Sequence, residues 1–210
     1  FDIEVTPRSP HDRLSQALKT MAFNLQAADQ ENRMRRWKQD GLLDLAEAMR
    51  GRLTIQELSN RIVQSLCRHL NSVSGVIYLV VSGTHKEGLQ WSGSHAAPLG
   101  IDKDKVFDLG DGFIGQAANK MGATLWSDLS RFQWSIATGI GTIQPTALLL
   151  APFHNDGKPR GVIALAFLEP PEDRVVQFFE EIMNAIAMAF ETAQARPLAD
   201  ALNASRAMAT

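Results

Sequence analysis

The chain has 210 residues, of which 45% are hydrophobic, and carries a net charge of −2. That length gives room for one ordinary domain with extensions, and the near-balanced charge, without a strongly basic run, gives no support to nucleic-acid binding. A single cysteine, Cys67, excludes a disulfide framework and fits a reducing compartment, while no stretch approaches the ~20 continuous apolar residues of a membrane-spanning helix.

Phe1 opens in mid-pattern without an initiator Met, as a fragment of a longer protein would. Phe1, Ile3 and Val5 alternate with Asp2, Glu4 and Thr6, which predicts an extended segment over 1–8. Ser9, Pro10 and Asp12 then form a helix start, with a capping residue, a proline suited to the first turn and an acidic residue at capping-box spacing. No further proline interrupts the pattern before Gly51 offers a stop. A helix of that extent reaches roughly 60 Å at about 1.5 Å per residue.

Along this helix Leu14, Leu18, Met21, Leu25, Ala28, Asn32, Arg35, Gln39, Leu42, Ala46 and Met49 recur at alternating steps of four and three. Such spacing keeps one face turned toward a partner helix. Asn32, Arg35 and Gln39 place polar side chains at seam positions where Leu or Ile would be most stable, so the rod has soft central layers suited to transmitting a change. Gly41 is its weak interior point and a candidate bend. The basic cluster Arg33, Arg35, Arg36 and Lys38 lies on the same rod, where charged faces are ordinarily solvated.

Thr54, with Glu57 three residues on, caps a second helix over 55–71, and Leu58, Ile62, Leu66, Cys67 and Leu70 repeat at helical spacing. Cys67 sits on or beside this stripe, as a small buried residue would. After Ser74-Gly75 the period shortens. Residues 75–81 read as a buried strand, 82–88 as a turn and 89–95 as a second strand, making a hairpin. A short strand over 105–109, a helix over 113–120 opened by Gly110-Asp111-Gly112, and a short strand over 123–126 follow. Residues 130–141 are irregular. Strands over 147–153 and 161–168 are joined through Asn155-Asp156-Gly157, a strong turn signal. The last long helix, 172–195, has two apolar stripes, one through Val175, Phe178, Phe179, Ile182 and Ile186 and one through Val176, Met183, Ala187 and Phe190. A helix apolar on two sides packs on a sheet and on something else, such as a second subunit. Pro197 is expected to break the register, with 198–209 resuming as a weak Ala-rich helix. The order of elements predicts an α+β fold: an antiparallel sheet of about six strands with long helices on one face.

Four motifs in chain order resemble the GAF domain family. Leu109-Gly110-Asp111-Gly112-Phe113-Ile114-Gly115-Gln116-Ala117-Ala118 is similar to the family's G-E-G-L-x-G-x-A/V-A element. Gly122-Ala123-Thr124-Leu125-Trp126-Ser127-Asp128 resembles its G-x-P-x-x-x-x-D strand, with Ala123 neighbouring the position of the usual proline. Thr146–Phe153 resembles S-x-L-x-V-P-L, and Gly157–Leu168 resembles the G-x-x-x-G-V-L-x-L hairpin. Phe1–Val5, Asp12-Arg13-Leu14 and the Leu18, Met21, Leu25 series are similar to the connector and second helix of a HAMP linker, although Arg13 and Ser15 replace the usual acidic residue and glycine. The resemblance implies a partial HAMP-like connector and helix over 1–30, a signalling coiled-coil helix over 31–50, a GAF domain over 51–196 and a linker over 197–210 toward an output domain. It also implies that the terminal helices form a parallel dimer bundle.

GAF domains bind cyclic nucleotides, haem, bilins or small metabolites, or transmit without a ligand. The Asn-Lys pair and Phe-Asp-Glu trio of cyclic-nucleotide members are not met at Phe167-Leu168-Glu169-Pro170-Pro171 and Glu172-Asp173. GAF-type methionine sulfoxide reductases and cysteine-linked bilin carriers need reactive cysteines, and the lone Cys67 argues against both. The glycine run at 110–115 lacks the Lys and Ser/Thr of a phosphate loop, so its glycines are expected to serve the strand-to-helix turn. His69, His85, His95 and His154 do not share metal-ligand spacing. The residues of pocket-like type are Trp91, Phe107, Phe113, Ile114, Trp126, Phe132, Trp134, Ile136 and Ile140, with Ser135, Thr138 and Thr142 as polar partners. They make either a ligand pocket, with 130–143 as a mobile lid, or a second small core capped by a loop.

The resemblance implies a sensory or relay module from the cytoplasmic portion of an inner-membrane receptor, most naturally a histidine kinase, with a diguanylate cyclase or chemotaxis receptor as other parents. A ligand-free dimerisation spacer is the alternative. No catalytic residue, metal or cofactor is required by the sequence. The expected partners are a second copy of the chain and a small molecule or none, with no nucleic acid and with membrane attachment only through segments upstream.

Overall fold

The computed structural model describes residues 13–82, 87–129 and 134–208, with side chains described over 16–82, 87–129 and 134–196. The expected extended segment at 1–8, the helix start at Ser9–Asp12, the Leu14 side chain, the centre of the turn at 83–86 and Phe132 lie outside these residues. The chain divides into two units, residues 1–43 and 44–210.

The first unit, where described, is the helical backbone of α1 (Arg13–Ala48) up to Leu43. Its helix runs through Gly41 as one element, with no interruption there. In the single chain the seam positions Leu18, Met21, Leu25, Ala28, Asn32, Arg35, Gln39 and Leu42 are all exposed. Ion pairs run along this part of the helix, Arg33 to Asp29 at 2.7 Å beside the seam and Arg35 of the polar layers to Glu31 at 3.0 Å. Exposed pairs four residues apart contribute about 0.2–0.5 kcal/mol each, enough to steady the helix but not to fix an interface.

The second unit begins with the last turn of α1, where Leu45 is buried. Met49 N donates to Leu45 O at 3.1 Å, and Gly51 follows at φ +108°, outside the helical range. Thr54 then opens α2 (Ile55–Leu70) with both halves of a capping box. Glu57 N donates to Thr54 Oγ1 at 3.2 Å, and Thr54 N donates to Glu57 Oε2 at 2.8 Å. The backbone bond and then the hydroxyl bond from Thr54 hold the Glu57 carboxyl below its usual pKa. The helix ends at Asn71 in the left-handed region.

Six strands form one sheet: β1 (Ser74–Ser82), β2 (Glu87–His95), β3 (Val106–Asp108), β4 (Thr124–Trp126), β7 (Ala147–Asn155) and β8 (Lys158–Phe167), in the order β3-β2-β1-β8-β7-β4. Every pairing is antiparallel. This is the expected α+β architecture, and both edges are short strands that offer little backbone to a foreign strand. The segment expected to be irregular contains a small hairpin, β5 (Ile136–Ala137) with β6 (Thr142–Ile143). Its tip is closed by Thr138 N donating to Gly141 O at 2.9 Å.

The three central strands are buried on both faces, which is why they read as continuous apolar runs. One face carries α2 and α4 (Asp173–Met208). Phe153 stacks on Phe190 at 5.6 Å, and a Cβ at Gly75 would meet Cys67 Sγ at 2.9 Å. The other face carries α3 (Gly112–Ala118), whose Ala117 and Ala118 join Val76, Leu148, Leu150 and Val162 in a second core.

A β-bulge between Ile77 and Tyr78 shifts the β1–β2 register, so Ile77 opposes Gly93 while Tyr78 opposes Trp91. The extra residue is Ser92. It turns Ser92 and Gly93 together toward α2, where Ser92 Oγ meets Ser59 Oγ at 2.6 Å and Ser94 N donates to Asn60 Oδ1 at 2.9 Å.

α4 departs from the expected 172–195. Its backbone stays helical through Pro197 to Met208. A proline removes one donor and crowds the carbonyl four residues back, and the helical backbone continues past that single interruption. Among the described residues no helix is long and apolar enough to cross a membrane.

Candidate ligand cavity

On the α3 face of the sheet lies a cavity of about 530 Å³. Its floor is Tyr78 of β1 and Leu148 of β7, and its walls include Phe107 of β3 and Gly112, Phe113 and Ile114 of α3. The loop between β2 and β3 supplies Pro98, Leu99, Gly100, Ile101, Asp102 and Lys105. Trp134 closes one side, and its indole Nε1 donates to Ser74 Oγ at 3.2 Å. The two loops are joined by Leu99 N donating to Ser135 O at 2.7 Å. This volume falls within the range of small-molecule sites, about 300–1,000 Å³.

Local sequence explains the walls. Gly110 (φ +89°) and Gly112 (φ +59°) turn the chain from β3 into α3, and the backbone at Asp108 leaves no space for a side chain at Gly115. Asp111 Oδ1 accepts from Gly112 N at 2.9 Å, so the aspartate itself caps the first amide of this short helix. The glycine run is therefore turn chemistry, not a phosphate cradle.

The expected pocket residues divide into three groups. Phe107, Phe113, Ile114 and Trp134 line the cavity. Trp91 and Trp126 pack against the same core without lining it, and Trp126 meets Phe113 edge-to-face at 5.2 Å. Ile136 is buried in the hairpin β5–β6, whereas Ile140 at its tip is 100% exposed and Thr142 is exposed. Ile140 and Thr142 thus depart from the expectation: the hairpin turns their side chains to solvent. Among the described residues, the segment 130–143 contributes only Trp134 to the cavity, and the β2–β3 loop forms the larger wall.

Sequence reasoning missed Tyr78, Leu148 and the loop residues 98–102 and 105. Tyr78 was legible as the one hydroxyl-bearing aromatic within an apolar strand. The loop carried no signal, because its part in the wall depends on where β3 pairs.

Three lysines lie over three aromatic rings of this face: Lys103 over Trp91 at 4.6 Å, Lys105 over Phe107 at 5.0 Å and Lys120 over Trp126 at 5.6 Å. Burial pushes the Tyr78 phenol up to about 12, so it stays protonated at neutral pH. On the opposite face Cys67 is 3% exposed and burial pushes its thiol up to about 11. A nucleophilic role needs thiolate and access, and Cys67 has neither. Among the described residues no group of three His, Cys, Asp or Glu side chains is placed to hold a metal. His154 Nε2 lies 3.1 Å from Ala118 O, tying β7 to α3, and His69 packs on Phe178.

An antiparallel sheet with α2 and α4 on one face and a cavity under a loop and short helix on the other makes an α+β module. Residues 52–191 match the GAF domain family model, and the chain belongs to that family. Among solved structures, the GAF domain of a phosphoenolpyruvate-protein phosphotransferase from Coxiella burnetii is similar with a TM-score of 0.61 at 12% identity, covering 79% of this chain and 96% of that one. Free methionine-R-sulfoxide reductase from Neisseria meningitidis, in complex with its substrate, has a TM-score of 0.59 at 14% identity, covering 77% and 92%. The GAF domain assigned to a sensor histidine kinase of Pseudomonas syringae pv. tomato has a TM-score of 0.51 at 13% identity, covering 87% and 99%. At such identities the likeness is one of fold. No curated protein matches the chain.

Proposed function

We propose that this chain is the sensory and relay region of a signalling receptor, most naturally a histidine kinase, in which a small molecule in the α3-side cavity biases the packing of the long helices. The observation that carries this reading is the two-faced sheet. Tyr78 and Leu148 line the cavity, while their neighbours Ile77, Leu79 and Leu149 are buried from the opposite side of the same strands. A change in cavity packing therefore acts on strands that directly support α2 and α4.

The helix face has the features of a dimer surface. Met49, Leu53 and Leu58 face Ala185, Met188, Ala189 and Ala193 across a groove of about 250 Å³, and Met188 is 63% exposed. A second copy, parallel to the first, would cover this groove, and the α1 helices of the two copies would pair along their own seam. A HAMP-like linker entering α1 and an output domain following α4 complete the proposed arrangement in a membrane-bound parent.

Light scattering after size exclusion tests the dimer: a monomer at tens of micromolar concentration removes the helix relay. Thermal-shift screening against nucleotides and metabolites tests the sensor. Trp134→Ala is expected to abolish or reduce the ligand shift while leaving the dimer intact. Loss of the dimer with an unchanged ligand shift would overturn the division of labour between the two faces.

A further inference from the structure

Among the described residues, two charged groups line the cavity, Asp102 and Lys105, and they are of opposite sign. They are not paired with each other. Asp102 Oδ1 accepts from Asp104 N at 3.0 Å, and Lys105 Nζ lies over the Phe107 ring at 5.0 Å. Each retains capacity for another partner: a carboxylate has a second oxygen, and an ammonium has three donors. Beneath them Tyr78 is only 6% exposed, with no hydrogen-bond partner for its hydroxyl among the described residues. The rest of the wall includes flat apolar surface from Phe107, Phe113 and Trp134.

We propose that the cavity binds a zwitterionic small molecule with a flat apolar body, of the aromatic amino-acid type, its ammonium facing Asp102 and its carboxylate facing Lys105. The proposal rests on the sensory reading of the cavity. An anion alone would be opposed by Asp102 and a cation alone by Lys105. A neutral apolar molecule would use the rings and leave both charges, which are exposed, to water. A ligand bearing both charges satisfies the two groups together, and its body covers the aromatic wall while the Tyr78 hydroxyl can bond a polar edge. The cavity, about 530 Å³, has room for such a molecule.

The test is a matched series measured by calorimetry on the full chain: tryptophan, tryptamine, indole-3-acetate and indole, with the corresponding phenyl compounds alongside. The zwitterion of one series is expected to bind at least about tenfold tighter than its three relatives, as one charge-assisted hydrogen bond allows. Lys105→Met keeps the aliphatic stem and is expected to cost the zwitterion about tenfold while sparing the amine. Asp102→Asn keeps the bond from Asp104 N and is expected to cost the zwitterion similarly while sparing the carboxylate. Circular dichroism and the melting temperature check that both variants fold. Equal binding across a series, a preference for the anion or the cation, or no binding in either series overturns the assignment. Those results would leave the sensory reading standing if the wider metabolite screen finds a ligand whose shift Trp134→Ala removes.

Discussion

Gly93→Ala should destabilise the domain by placing a methyl group where α2 already packs on β2. A Cβ at Gly93 would lie 2.5 Å from Ser59 Cβ, 2.7 Å from Asn60 Oδ1 and 2.9 Å from Asn60 N. Two of these neighbours are Asn60 atoms already in use or fixed: Oδ1 accepts from Ser94 N, and N belongs to the backbone of α2. The glycine is not required by its backbone angle, since its φ is not in the left-handed region; space alone decides. Overpacking of this kind costs about 1–3 kcal/mol, and displacing Asn60 from Ser94 adds about 1 kcal/mol. The sum, about 2–4 kcal/mol, corresponds to a fall in melting temperature of roughly 4–16 °C for a domain of this size. Urea unfolding followed by tryptophan fluorescence measures it directly. Ser59→Gly removes one of the colliding atoms, so the double variant should recover about 1 kcal/mol relative to the sum of the single effects. A Gly93→Ala protein within about 0.5 kcal/mol of the parent, the ordinary surface-substitution range, would refute the packing argument.

Other outcomes follow from the same structure. Thr54→Ala should cost about 1 kcal/mol through the lost N-cap. Because the folded Glu57 pKa is depressed, its contribution is present above the unfolded carboxylate pKa and is lost as pH falls through the folded value. The stability gap between the parent and Glu57→Gln should therefore close on acidification, and a gap that stays constant into acid would contradict the cap. Cys67, with its thiol near 11 rather than 9.0, should react with iodoacetamide at pH 8 about 100-fold more slowly in the folded protein than in urea. Equal rates would mean the residue is accessible. Leu at Asn32, Arg35 and Gln39 should tighten the proposed dimer in sedimentation equilibrium and blunt signalling in the intact protein; unchanged signalling would remove their role as soft layers.

The cap, the sheet and the helix order were legible because they rest on local chemistry. Thr54 and Glu57 stand three residues apart, Asn155-Asp156-Gly157 marks a hairpin, and the β1, β7 and β8 segments read as continuous apolar runs. These features depend on neighbours a few residues away, which the sequence displays. The same holds for Phe107, Phe113, Ile114 and Trp134, whose aromatic or apolar character marked them for an enclosed site.

What the tertiary structure decided depends on register and on distant neighbours. Period two places Leu89, Trp91 and Gly93 on one face. The bulge at Ser92 leaves Leu89 and Trp91 against the α3-side core and delivers Gly93 to α2. No residue type announces a bulge. Ile140 is as apolar as Ile136, but the hairpin exposes one and buries the other. Asp102 and Lys105 carry no site signal in the sequence until β3 pairs with β2 and brings them to the cavity that Tyr78 lines. The sequence determined most of the helix and strand segments and that they form a GAF domain, though not the β5–β6 hairpin or the continuation of α4 through Pro197. Pairing in three dimensions decided which side chains face the cavity, because that choice turns on single-residue shifts of register that local composition does not encode.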